Sequence, residues 1–268
     1  MTTTSLARSR AYLAPQRPGI IARSIAGSLA GALPVPFLDD WVAGAVLGGG
    51  YRRIAAAHHV DLDATAQRTL VHGTTPPTSI VDLAASGIML RIAGRAARRM
   101  FVALATIDRA RSAARTFLRM TLFDHYCAKL HTGLAIDSAT ALALRDEIGR
   151  AIEQTPGALA FHPFRRGAMA ALRATLRAPL ELADLATRGA VRRLLARRSS
   201  TITDAEAVDE LDQAVETALA SKTGFLSRTV AAVEIQLSAE VNPFLESALD
   251  NLDRRWRARI AAAAKPTP

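Results

Sequence analysis

Residues 203–260, TDAEAVDELDQAVETALASKTGFLSRTVAAVEIQLSAEVNPFLESALDNLDRRWRARI, read as three helices in succession. Thr203 and Glu206 make a capping box, in which hydroxyl and carboxylate reciprocally satisfy free backbone amides at a helix start. Val208, Leu211, Val215 and Leu219 follow at steps of three and four, which puts them on one face. Gly224 ends that helix. The next carries Leu226, Val230, Val233, Leu237 and Val241 on one stripe, and Asn242-Pro243 then supplies a cap and a first-turn proline. The last helix repeats the stripe with Leu245, Leu249, Leu252, Trp256 and Ile260. Three amphipathic helices joined by short links specify a packed bundle.

The composition of the 268 residues agrees with that reading. Alanine, the best helix former, occurs 55 times, while aromatic residues make up 5%. A chain that is 50% hydrophobic and 22% charged is not a disordered tail. Cys127 is the single cysteine, which excludes a disulfide-stapled domain and a multi-cysteine zinc module.

Upstream, helix signals continue. Residues 19–33 read as a small-residue helix ending at Pro34-Val35-Pro36, and a second helix runs from Asp39/Asp40 to about His58. Asp61 or Asp63 caps a short helix that stops at His72-Gly73. From Ser79 to His131 the helical pattern is too long for one straight element, so a break is expected near Gly94 or around Ala105–Asp108. Asp137 caps a helix of about 138–154, stopped by Thr155-Pro156-Gly157, and a further pair is expected over 163–177 and 179–198. The expectation is an all-α fold: one elongated or two-lobed bundle of nine or ten helices with no sheet. Residues 1–18 are expected to be a mobile segment and 19–264 a helical domain, with a sub-boundary near 132–137 or 199–203. Arg23 interrupts the first apolar stretch, so it does not read as a signal peptide. No run reaches the length of a spanning helix.

The net charge of +10 is unevenly placed. Residues 91–119 carry eight arginines, among them Arg91, Arg95, Arg98 and Arg99, against Asp108 alone. Residues 163–198 carry nine arginines against two acids, and residues 204–253 carry eleven acids against Lys222 and Arg228. The basic helices therefore face the acidic region, water, or an external anionic surface, since charge alone specifies no partner. A lipid headgroup layer is the preferred external surface, at about 1 kcal/mol per cation. Nucleic acid is the alternative, although no helix-turn-helix, zinc-finger or RNA-binding signature supports it.

Candidate chemistry is sparse. Asp124, Cys127 and His131 fall at i, i+3 and i+7 on one helical face, a partial metal site, and Cys127 with His131 could pair as thiol and base. The plainer reading is a buried cysteine among helix-end polar groups. His58 and His59 point about 100° apart on a helix and suit a last turn. Gly48-Gly49-Gly50 lacks the strand and lysine of a phosphate loop. Instead, Gly27 with Gly31 and Gly44 with Gly48 place small residues four apart on the two helices around Pro34-Val35-Pro36. That spacing permits close backbone approach, so residues 19–50 read as a tightly packed hairpin, in protein or at lipid. Nothing calls for a cofactor, and nothing sets an oligomeric state.

Over about residues 30–65 the chain resembles bacterial EcsC-type proteins and related helical domains of unknown function. The residues that carry the resemblance are Pro34-Val35-Pro36, Asp39-Asp40, Arg53-Ile54-Ala55 and Val60-Asp61-Leu62, with His58-His59 where those families have a tyrosine-glycine pair. The resemblance implies an all-helical cytoplasmic protein at the inner membrane with no established enzymatic activity. The leading expectation is thus a non-enzymatic protein on an anionic membrane surface or a membrane protein, through the hairpin and the arginine-rich helices. A basic nucleic-acid-associated protein is second, and an enzyme using Cys127 and His131 is third.

Overall fold

The computed structural model describes residues 10–30, 38–74, 98–157, 166, 204–220, 225–239 and 243–264. Eight α-helices account for most of them: α1 (Arg17–Ala30), α2 (Leu38–Ala57), α3 (Ala64–His72), α4 (Arg98–His125), α5 (Ser138–Glu153), α6 (Asp204–Ala220), α7 (Phe225–Ala239) and α8 (Pro243–Ala263). The fold is all-α. Apart from the helical Arg166, the helices expected over 163–177 and 179–198 lie outside the described residues, as do Gly31, Arg91 and Arg95.

The caps act as their chemistry requires. Asp63 and Asp137 sit in extended backbone and accept from the amides of Ala66 (2.6 Å) and Thr140 (2.7 Å), satisfying donors that helix starts leave free. Gly73 closes α3 with φ of +69°, a conformation that glycine adopts without a Cβ clash. Each capping aspartate is preceded by a two-residue strand, β1 (Asp61–Leu62) and β2 (Ala135–Ile136). The strands pair in parallel with Asp61 opposite Ala135 and Leu62 opposite Ile136. This pair, too short to show period-two alternation, is the one departure from a helix-only fold among the described residues. It starts α3 and α5 side by side, and they pack together.

One continuous cluster of buried apolar residues extends from Leu13 to Trp256. It joins Ile21 and Ile25 of α1, Phe117, Leu118 and Phe123 of α4, Leu144 and Ile148 of α5, Val230 and Val233 of α7, and Leu249 and Leu252 of α8. The core therefore spans the 132–137 segment rather than dividing there. Tyr51 meets Phe123 edge-on at 4.8 Å, and Tyr126 meets Trp256 likewise at 4.9 Å. The described members of the stripes of α7 and α8 face this core, except that Ile260, at the far end of the last stripe, is half exposed; Val241 lies outside the described residues.

The structure bears on three local expectations. Residues 10–18 are packed rather than mobile: Leu13 is buried, Arg10 pairs with Glu246 (3.0 Å) and Asp250 (2.7 Å), and α1 begins at Arg17. Helix α4 runs without a break through Ala105–Asp108, so its 28 residues span about 42 Å. Gly94 lies outside the described residues. Helices α1 and α2 do pack against each other, as the expected hairpin requires. Gly27 does face Val46 of α2, but Gly44 and Gly48 lie against His72 and Gln67 of α3.

Candidate functional site

The side chains singled out near residue 124 sit where α4 ends. There the helix widens into a π turn, Tyr126–Leu130, in which the amide of His131 donates to the carbonyl of Tyr126. A widened turn shifts every later residue around the axis, so the i, i+3, i+7 alignment of Asp124, Cys127 and His131 does not carry through it. Each takes a different partner. Asp124 is fully buried and its Oδ1 lies 2.6 Å from Nε2 of His58, at the end of α2. His59, the next residue, is in the left-handed region with φ of 56°. His131 turns its Nδ1 to the hydroxyl of Tyr126 at 3.2 Å. Cys127 is buried beside them.

Burial dominates the electrostatics of this end. It pushes the Asp124 carboxyl above its ordinary value, against the hydrogen bond from His58. It pushes the Cys127 thiol far up, with the nearby Asp124 charge adding to the effect. A thiol held protonated, beside an imidazole engaged elsewhere, is not a nucleophile–base pair. Among the described residues, no three His, Cys, Asp or Glu side chains gather closely enough to hold a metal ion.

A neighbouring array was not foreseen. His125, 2% exposed, contacts the hydroxyl of Tyr12 through Nδ1 and Asp253 of α8 through Nε2 at 2.6 Å. Lys129 Nζ lies 4.8 Å from the centre of the Tyr12 ring. Hydroxyl, imidazole and carboxylate lie in line, and burial raises the Tyr12 phenol above its ordinary value. The array fastens the chain before α1 to α4 and α8.

The second charged assembly joins the acidic helix α6 to α1 and α2. Arg23 donates to Asp212 through Nε (3.1 Å) and Nη2 (2.5 Å), and Nη2 also reaches Glu216 at 2.7 Å. Arg52 pairs with Asp209, and Arg53 lies 3.5 Å from Asp212 and 3.4 Å from Glu216. A narrow cleft beside Arg23 and Arg53 has a volume of about 10 Å³, room for one water molecule. Internal pairing thus accounts for several acids of the 204–253 region: among the described residues Asp209, Asp212 and Glu216 meet Arg23, Arg52 and Arg53, while Glu246 and Asp250 meet Arg10. Arg23 had one signal in the sequence: it is the lone charge inside an apolar helix.

The arginines named as surface contacts divide differently. Arg98 and Arg99 open α4, and farther along that helix Arg111 and Arg115 are exposed, opposite Ala113, Ala114 and Phe117 in the core. The described hairpin residues are core: Ile20, Ile21, Ile25, Ala45 and Val46 are all buried. Among the described residues, no helix is long and apolar enough to cross a membrane. No protein-family model, curated protein or solved structure matches the chain.

Proposed function

We propose that the protein is a non-enzymatic helical module that docks on the anionic cytoplasmic leaflet of a membrane through the arginine-rich face of α4. The observation that carries this reading is where the acidic helix spends its charge. Asp209, Asp212 and Glu216 are engaged with Arg23, Arg52 and Arg53. Helix α4 itself bears six arginines against Asp108 and the buried Asp124, and Arg115 on it is exposed. The hairpin is not needed for this contact, because its described residues face protein. Headgroup attraction of about 1 kcal/mol per arginine is enough for reversible, salt-sensitive association.

Sedimentation with phosphatidylserine vesicles tests the reading. The expected result is pelleting at low salt, release as salt rises, and weaker pelleting for Arg111→Gln/Arg115→Gln. A protein that stays in the supernatant at low salt overturns it. Tight binding to duplex DNA with a steep salt slope, and none to vesicles, would assign the same face to nucleic acid instead.

A further inference from the structure

The assembly of Arg23, Arg52 and Arg53 under α6 carries an inference independent of the membrane reading. We propose that this surface is a docking site for an acidic helix, of which α6 is a replaceable occupant. A partner helix would present carboxylates at i, i+3 and i+7 with small residues between them.

Four observations point this way. First, the surface requires an anionic cover. Arg23 is 3% exposed, and on its own helix its guanidinium bonds only the carbonyl of Gly19, at 3.3 Å. Its remaining hydrogen bonds go to Asp212 and Glu216. A buried guanidinium stripped of those acids is strongly unfavourable, so whatever leaves must be replaced by another anion.

Second, the charge is an odd choice for merely fixing a helix. Arg23 interrupts Ile20, Ile21, Ala22, Ile25 and Ala26, all buried. Apolar residues in place of a buried ion pair commonly hold at least as well. What the ions add is selectivity for an acidic occupant.

Third, the bed is shaped for a helix carrying acids. A Cβ at Gly49 would lie 2.8 Å from Asp212 Oδ1, so the bare backbone there is what lets that carboxylate reach Arg23.

Fourth, among the described residues the fully buried part of α6 is small, and Leu219 packs only partly against the core. The described buried residues of α6 are Ala214, Val215 and Ala218. The outer pair is wet, with Asp209 60% and Arg52 39% exposed, and exposed pairs hold little. Anion-selective contacts at the centre and screened contacts at the rim make an occupant that can be exchanged.

The test uses a labelled peptide of residues 204–220 and the full-length chain carrying Asp209→Asn, Asp212→Asn and Glu216→Gln. The neutralised chain is expected to bind the peptide at least about tenfold more tightly than the natural chain, whose tethered helix competes at high effective concentration. Adding Arg52→Gln and Arg53→Gln, or neutralising the peptide, is expected to weaken binding by a similar factor. A folded neutralised chain that ignores the peptide overturns the proposal, as does one that binds phosphatidylserine vesicles through this surface in its place. If the neutralised chain does not fold, hydrogen exchange of the natural chain decides. Amides of 209–218 that open with added salt while those of 140–152 stay protected support the proposal; opening only with global unfolding overturns it.

Discussion

His125 donates from Nε2 to Asp253 Oδ1 across 2.6 Å, joining α4 to α8 through an imidazole almost wholly out of water. Asp253 as a carboxylate can only accept, so Nε2 carries the proton and Nδ1 of the neutral ring accepts from the Tyr12 hydroxyl. Burial lowers the His125 pKa, with the Asp253 contact opposing and the Arg10 charge assisting. An unfolded chain takes up this proton near pH 6.5, while the folded chain resists it. Stability therefore falls as pH drops below about 6.5. His131, also lowered by burial, adds in the same direction. Asp124, raised by burial, has the opposite sign: it costs stability as pH rises above the ordinary carboxylate value. The urea midpoint is expected to decline from pH 6.5 to 5.5. His125→Gln should flatten that decline more than His131→Gln, and cost about 1–2 kcal/mol at pH 7.5. A slope unchanged in His125→Gln would show that the array does not titrate.

Cys127 is expected to be an inert thiol. It lies in the π turn, buried in the same core cluster as Tyr126 and Trp256, and burial followed by the Asp124 charge holds it protonated. Alkylation requires the thiolate and access, so labelling must await local opening. Iodoacetamide should modify the folded chain at least about tenfold more slowly than the chain in denaturant. Equal rates would place the thiol at the surface.

What the sequence made legible was local. The stripes of α7 and α8, the aspartate caps at 63 and 137, and the stop after Glu153 depend on neighbours within one or two turns. The polar assemblies do not. Arg23 meets Asp212 across 189 residues, and His58 meets Asp124 across 66, and no helical period encodes such a pairing. The two-residue strands fall below the length at which alternation shows, and the π turn shifts side chains that a regular helix would align. Residues 10–16 read as mobile because they carry no periodicity; they are held instead by Arg10, Tyr12 and Leu13, each through a tertiary contact.

Two glycines separate packing from propensity. At Gly49 a Cβ would meet Oδ1, Cγ and Cβ of Asp212 at 2.8, 3.0 and 3.1 Å, and that short side chain is pinned by Arg23. Gly49→Ala should therefore cost about 1–3 kcal/mol, as overpacking does. Gly149 lies within α5 with nothing within 4 Å of its Cβ position. Gly149→Ala removes only the flexibility penalty and should stabilise by about 0.5–1 kcal/mol. Denaturant midpoints of opposite sign are the expected outcome. A neutral Gly49→Ala would mean that α6 sits farther from α2 than the 2.8 Å approach implies.

Glu147 gives the sharpest contrast between paired charges. Its carboxylate is 7% exposed and accepts from Arg255 Nε of α8 at 2.6 Å. Arg150 and Arg259 approach it only to 3.8 and 3.9 Å, and both are more than half exposed. Removing Arg255 leaves a buried carboxylate without its close donor, whereas removing Arg259 takes away a screened, distant charge. Arg255→Ala is accordingly expected to lose about 3 kcal/mol and Arg259→Ala less than about 0.5 kcal/mol. Glu147→Met combined with Arg255→Met should recover much of that loss, because two apolar side chains leave no ion to solvate. Equilibrium unfolding of the three variants decides this. Equal losses at Arg255 and Arg259 would mean that the cluster acts through overall charge rather than through the single short bond between α5 and α8.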